Sequence, residues 1–368
     1  MALAGYTYRK QLTITGTADG AKNPYQLKLS VNRSSGSDSG LTVYLDTKCN
    51  VDFSDIRFTQ SDGDTKLDYW IESVSGTVAT VWVEFVSIPA SPNTIDFYIY
   101  YGDADAASET NGTNTFPFFD DFSGDLSKWD VVNTASIAGG ICTVSSGADD
   151  SKITSKTTFS LGYSIISYAK SAVNGSYSFH AQFDAGADYA RMGQNTGLSA
   201  ANFSYETIET ANSNGSLAVA SDTNYHLFEL ERVSTTLERF YIDNSLKKTV
   251  TSATNIPNDT VGAGVRGINK QVLVDWFFVR YCTITDPTIS AWGDEENLVL
   301  ANPTVTTQAA TNVTATTATL NGNITATGGF NATRRGFQYG TVSGALTEDT
   351  HEDGDFGTGA FSLPITGL

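Results

Sequence analysis

The chain has 368 residues, 33 of them glycine, with 17% charged residues and a formal net charge of −18. That length exceeds one ordinary domain and points to two or three. The acidic balance excludes a phosphate-binding surface, so nucleic acid is not an expected partner.

Many Thr, Ser, Tyr and Phe with only two Met suit short strands and polar turns, so an all-β fold is expected. The N-terminus runs straight into a strand, without a charged segment followed by an apolar one, so a secretory signal is not expected. No apolar run approaches the ~18 residues of a membrane span, and membrane insertion is not expected either. Three Cys are too few, and odd in number, for a disulfide scaffold. Cys142 and Cys282 are the one pair whose bonding the sequence leaves open.

In residues 1–115, apolar and polar residues alternate. Ala79, Val81, Val83 and Phe85 point one way and Thr80, Trp82 and Glu84 the other. Ile95, Phe97, Ile99 and Tyr101 repeat the pattern. Period-two alternation between turns means half-buried antiparallel strands. Tyr8-Arg9-Lys10, Asp55-Ile56-Arg57-Phe58-Thr59, Leu67-Asp68-Tyr69-Trp70-Ile71-Glu72 and Tyr98-Ile99-Tyr100-Tyr101-Gly102 follow in order. This series resembles a family of unknown function found in prokaryotic surface proteins and phage structural proteins. The resemblance implies a β-sandwich at an exposed location, with no known catalytic residues.

Residues 116–130 join two modules. Phe116, Phe118, Phe119 and Phe122 are core-forming aromatics, and Asp120 and Asp121 sit among them. Charges are rarely buried unless paired or bound to metal. Asp275, in the strand-like run 272–281, shares parity with Leu273, Phe277 and Val279. An acid on an apolar face needs a partner. Asp120, Asp121 and Asp275 are therefore the candidate ligands of a structural Ca²⁺, whose hard-oxygen chemistry fits them.

Further strands span 116–298, and Asp243-Asn244 reads as a hairpin turn. Phe119-Asp120-Asp121-Phe122 with Trp129, Tyr225 to Leu230, Phe240 to Asn244 and Val274 to Val279 resemble a concanavalin A-like, laminin G-like jelly roll. The resemblance implies two packed antiparallel sheets and, commonly, glycan or protein binding. His180, Gln182, Tyr189 and Arg191 are read onto the polar faces of strands, with Tyr205 as an aromatic neighbour. They are the candidate ligand-binding residues. The Glu-x-Asp-x-x-Glu arrangement of jelly-roll glycosidases is missing, as are a nucleophile elbow, a phosphate loop and zinc-spaced cysteines.

Residues 299–368 open with Ala301-Asn302-Pro303, then a Thr-rich run and Arg334-Arg335-Gly336-Phe337. These resemble a fibronectin type III-like repeat, and about 70 residues is short for such a sandwich, so continuation beyond Leu368 is expected. The fold expectation is three β-sandwiches in series, at 1–115, 116–298 and 299–368. The functional expectation is a non-enzymatic virion surface protein: tail fibre, spike or capsid decoration. It would adhere to host glycans or to neighbouring virion subunits, as a homo-oligomer. A prokaryotic cell-surface adhesin is the alternative, and a polysaccharide-active enzyme the third reading.

Overall fold

The computed structural model describes residues 3–145, 149–175, 177–298, 302–329, 331–340 and 345–368. Its architecture is all-β, with several facing sheets and, among the described residues, one four-residue helix, Gly112–Thr115. Lys10–Asp294 form one compact unit, and Ala2–Arg9 with Glu295–Leu368 form another.

The larger unit contains two sandwiches. In the first, a four-stranded sheet runs in the order Thr42–Tyr44, Tyr25–Asn32, Val78–Phe85, Tyr69–Ser75. It faces a sheet built on Tyr8–Thr15, Thr94–Tyr101 and Arg57–Thr59. Alternation on Val78–Phe85 is as expected: Ala79, Val81, Val83 and Phe85 are buried. Trp82, on the opposite parity, is also buried, in an aromatic cluster that includes Phe278 of the second sandwich.

The strand Thr288–Trp292 lies beyond the second sandwich in sequence, yet it pairs antiparallel with Tyr8–Thr15. The chain thus leaves the first sandwich near residue 116 and returns to finish it near residue 288. The second sandwich is in effect an insertion between two strands of the first, and the expected boundary at 298 falls beyond that returning strand.

The second sandwich has a seven-stranded and an eight-stranded sheet. Their inner faces meet in a core containing Trp129, Phe183, Met192, Phe228, Phe240 and Phe277. Asp243 and Asn244 have φ of 51° and 61° and close the hairpin of Leu237–Ile242 with Ser245–Val250, as the sequence suggested. The central strands of the eight-stranded sheet are covered on their outer face by the first sandwich. Phe116, Phe119, Trp82 and Phe278 pack there, with Trp70 and Trp276 against them. The Phe116 and Phe278 rings stack at 4.0 Å.

A polar network lies beside this aromatic cluster. Arg280 Nη2 donates to Glu229 Oε1 at 2.8 Å and to Glu231 Oε1 at 2.9 Å. Gln26 Oε1, from the first sandwich, accepts from Tyr281 N at 3.2 Å. Paired in this way, the charges tolerate burial that would otherwise be costly.

The smaller unit holds a three-stranded sheet, Thr304–Thr311, Thr317–Ala326 and Gly359–Thr366, and the pair Ala332–Tyr339 with Glu348–Phe356. Phe337 and Phe361 stack at 5.0 Å between them.

Candidate functional site

The central strands of the eight-stranded sheet are covered on the outside, and the seven-stranded sheet presents a polar outer face. Which residues reach that face is decided by one β-bulge. In Tyr177–Asp184 the register shifts between Phe179 and Ala181, so His180 is the extra residue. A bulge resets the two-residue alternation. Before it, Phe179 faces outward; after it, Ala181 and Phe183 enter the core and Gln182 faces outward.

Gln182, Tyr189 and Arg191 therefore share the outer face, as the sequence reading had them. His180 and Tyr205 do not. His180 is fully buried, stacked on Phe228 at 4.3 Å, with Nε2 3.0 Å from Ser171 Oγ. Burial pushes its imidazole down to about 3, so the ring is neutral. Tyr205 belongs to the same core, 5.2 Å from Phe240.

One row crosses the outer face directly: Thr154 opposite Gly264, Gly264 opposite Gln182, Gln182 opposite Arg191, Arg191 opposite Glu206. Gly264 is required there, because a Cβ would lie 2.0 Å from the Ile153 carbonyl oxygen. On either side of that bare backbone stand Thr154 Oγ1 and Gln182 Nε2, both buried and both without a hydrogen-bond partner. Buried polar groups are normally satisfied. Two orphans flanking one glycine are a concentrated unmet demand for a polar partner.

Arg191 organises the next part of the row. Its guanidinium lies 4.0 Å from the centre of each of two rings, Phe179 and Tyr189. Its Nε donates to Glu206 Oε2 at 2.9 Å and its Nη2 to Tyr189 Oη at 3.2 Å. Nearby, Lys152 Nζ donates to Asp184 Oδ2 at 2.9 Å, and Arg266 Nε to Asp150 Oδ1 at 2.8 Å. The Arg266 bond holds the Asp150 carboxyl below its ordinary range. Glu206 and Asp184 are each tied to a cation, so neither is an uncommitted acid or base. Thr154, Glu206, Asp184 and Lys152 escaped the sequence reading. The alternation of Lys152, Thr154 and the apolar Ile153 was the available signal.

Glu238 is a different kind of acid. It is fully buried opposite Arg232, and burial pushes its carboxyl up to about 8. The neighbouring Arg232 guanidinium lies over Phe183 at 4.3 Å, inside the sandwich and away from the polar face.

Of the three acids proposed for Ca²⁺, Asp120 and Asp121 carry hydrogen bonds within residues 120–129. Asp120 accepts from Phe122 N at 2.9 Å and from Trp129 Nε1 at 2.7 Å. Asp121 accepts from Ser123 N at 3.1 Å and Ser123 Oγ at 2.6 Å. Asp275 sits in a register shift between Trp276 and Val274, so parity with Phe277 and Val279 is lost across it. Burial, and then the charge of Asp121, raise the Asp275 carboxyl. Among the described residues, no three His, Cys, Asp or Glu side chains form a metal-binding group. Cys142 and Cys282 are both free and buried. No helix among the described residues is long and apolar enough to cross a membrane.

An N-terminal domain of unknown function, DUF2341, is present: its family model matches residues 52–132. The match runs past the first sandwich into Phe116–Trp129. A comparison with curated protein sequences finds no match. Among solved structures, the chain is similar to a β-1,3-glucanase from Mycobacterium marinum, at 17% identity and TM-score 0.35, covering 45% of this chain and 99% of that one. It is similar to β-agarase A from Zobellia galactanivorans, at 15% identity and TM-score 0.36, covering 46% and 90%. It is also similar to a structure described with endo-acting O-glycanases of the human gut microbiota, at 14% identity and TM-score 0.37, covering 45% and 99%. These findings correct the expectation of a non-enzymatic virion structural protein: the proteins matched are named as glycan-cleaving enzymes. Tail fibre, spike and capsid decoration are set aside with it.

Proposed function

We propose that this protein recognises carbohydrate on the outer face of its seven-stranded sheet, through Gln182, Arg191 and Tyr189. The observation that carries this reading is the pair of buried, unpartnered groups, Gln182 Nε2 and Thr154 Oγ1, on either side of Gly264. Both atoms lie beneath neighbouring side chains, so a sugar hydroxyl, which donates and accepts, meets the amide N–H and the hydroxyl once those side chains move aside. The Tyr189 ring and the Arg191 fork stand beside them. Ligand sites of this kind combine apolar surface with a few convergent polar groups. We also read the second sandwich as concanavalin A-like and residues 299–368 as fibronectin type III-like.

The test is affinity electrophoresis or calorimetry of the full chain against a polysaccharide panel. Gln182→Ala and Arg191→Ala should each weaken binding by about tenfold, the size of one lost buried hydrogen bond. Melting curves show whether each variant is folded. Folded variants that bind like wild type refute the site. Released reducing ends, read in the same samples, report whether recognition is coupled to cleavage.

A further inference from the structure

The charges on this face restrict which carbohydrate it takes. The central strands carry three cations there, Lys152, Arg191 and Arg266, and each is matched by a carboxylate: Asp184, Glu206 and Asp150. Asp130, opposite Thr154 on the edge strand, adds a further negative charge. Binding of uronates or sulfated sugars relies on cations free to form charge-assisted hydrogen bonds. Here the guanidinium of Arg191 is committed to Glu206 by hydrogen bonds and to the rings of Phe179 and Tyr189, each 4.0 Å away. The whole chain carries −18, so an anionic polymer is repelled before it arrives. What remains unsatisfied is uncharged, an amide N–H and a hydroxyl.

We infer that the ligand of this face is a neutral polysaccharide, held by its hydroxyl groups, and that anionic glycans are rejected. This rests on the reading of the face as a carbohydrate site.

The experiment pairs each neutral polymer with its own charged derivative. Glucan, galactan, mannan and xylan, each with its carboxymethylated form, are titrated against the full chain. The inference expects a neutral member to bind, with affinity unchanged from about 50 mM to about 500 mM salt, and its carboxymethylated form to bind at least about tenfold more weakly. Glu206→Gln leaves Arg191 without its carboxylate. It should gain affinity for the carboxymethylated polymer at low salt and lose that gain at high salt. Tighter binding of the charged forms by wild type, falling with salt, overturns the inference and leaves the carbohydrate site standing. Binding of neither form overturns both.

Discussion

Replacing Phe278 by Ala tests whether the two sandwiches of the larger unit stand or fall together. Phe278 is fully buried, yet it points away from its own sandwich core and into the junction. Its ring stacks on Phe116 at 4.0 Å and meets Trp82 and Trp70 edge-on at 5.4 and 5.6 Å. Truncating a buried Phe costs about 3–5 kcal/mol, and aromatic pairing adds roughly 0.5–1.5 kcal/mol beyond area alone. With a urea dependence of about 3 kcal/mol per molar, the midpoint should fall by about 1–2 M. Unfolding is followed by tryptophan fluorescence and, peptide by peptide, by hydrogen exchange. In wild type, Val78–Phe85 and Tyr163–Ser171 should open in one transition. In the variant that transition should come early and split. A midpoint moved by less than about 0.3 M, or two separate transitions already in wild type, would refute a shared core.

Two further outcomes follow from side-chain geometry. His226 has Nδ1 2.7 Å from Asp243 and Nε2 3.1 Å from Asp222, an arrangement that suits the doubly protonated ring. Burial pulls its imidazole down, but the two carboxylates outweigh it and the net shift is upward. A raised folded value gives stability that is full below the unfolded value of about 6.5 and fades as pH rises through the folded one. Asp243→Asn should therefore lower the melting temperature by about 2 °C at pH 6, and by less at pH 9; an equal loss at both would count against the clamp. For the Asp120 group, EDTA should move the melting temperature by less than about 1 °C, because Phe122 N and Trp129 Nε1 already hold that carboxylate. A larger drop, restored by Ca²⁺, would show that these carboxylates hold the metal.

Local pattern was readable where strands are regular and misleading where they are not. Val78–Phe85 keeps its alternation to the end, so the inward and outward sets were correctly sorted from sequence. Its partner across the junction was not legible, because Trp82 looks like any exposed aromatic until Phe278 is brought against it. On Tyr177–Asp184 and Val272–Tyr281 a single extra residue re-phases the side chains. Gln182 and Arg191 still landed on the polar face; His180 and Asp275 did not land where a strict two-residue period puts them. Neither bulge is marked within its own strand; the glycine that accommodates the first, Gly193, stands opposite Phe179 on the neighbouring strand, where a Cβ would lie 2.0 Å from the Ser178 carbonyl oxygen. The return of Thr288–Trp292 to Tyr8–Thr15 was hidden for a related reason: strand pairing across most of the chain leaves no trace in composition or spacing.

That late return imposes a timetable on synthesis. Thr13 carries a hydrogen bond from Ser290, 277 residues downstream. At about 5–20 residues per second, the N-terminal strand waits roughly 15–55 s for its neighbour to be made. Throughout that interval its backbone edge is open to any other extended segment, including the same strand on an adjacent nascent chain. Crowded translation of this message should therefore be the condition under which the protein is most easily lost to aggregation.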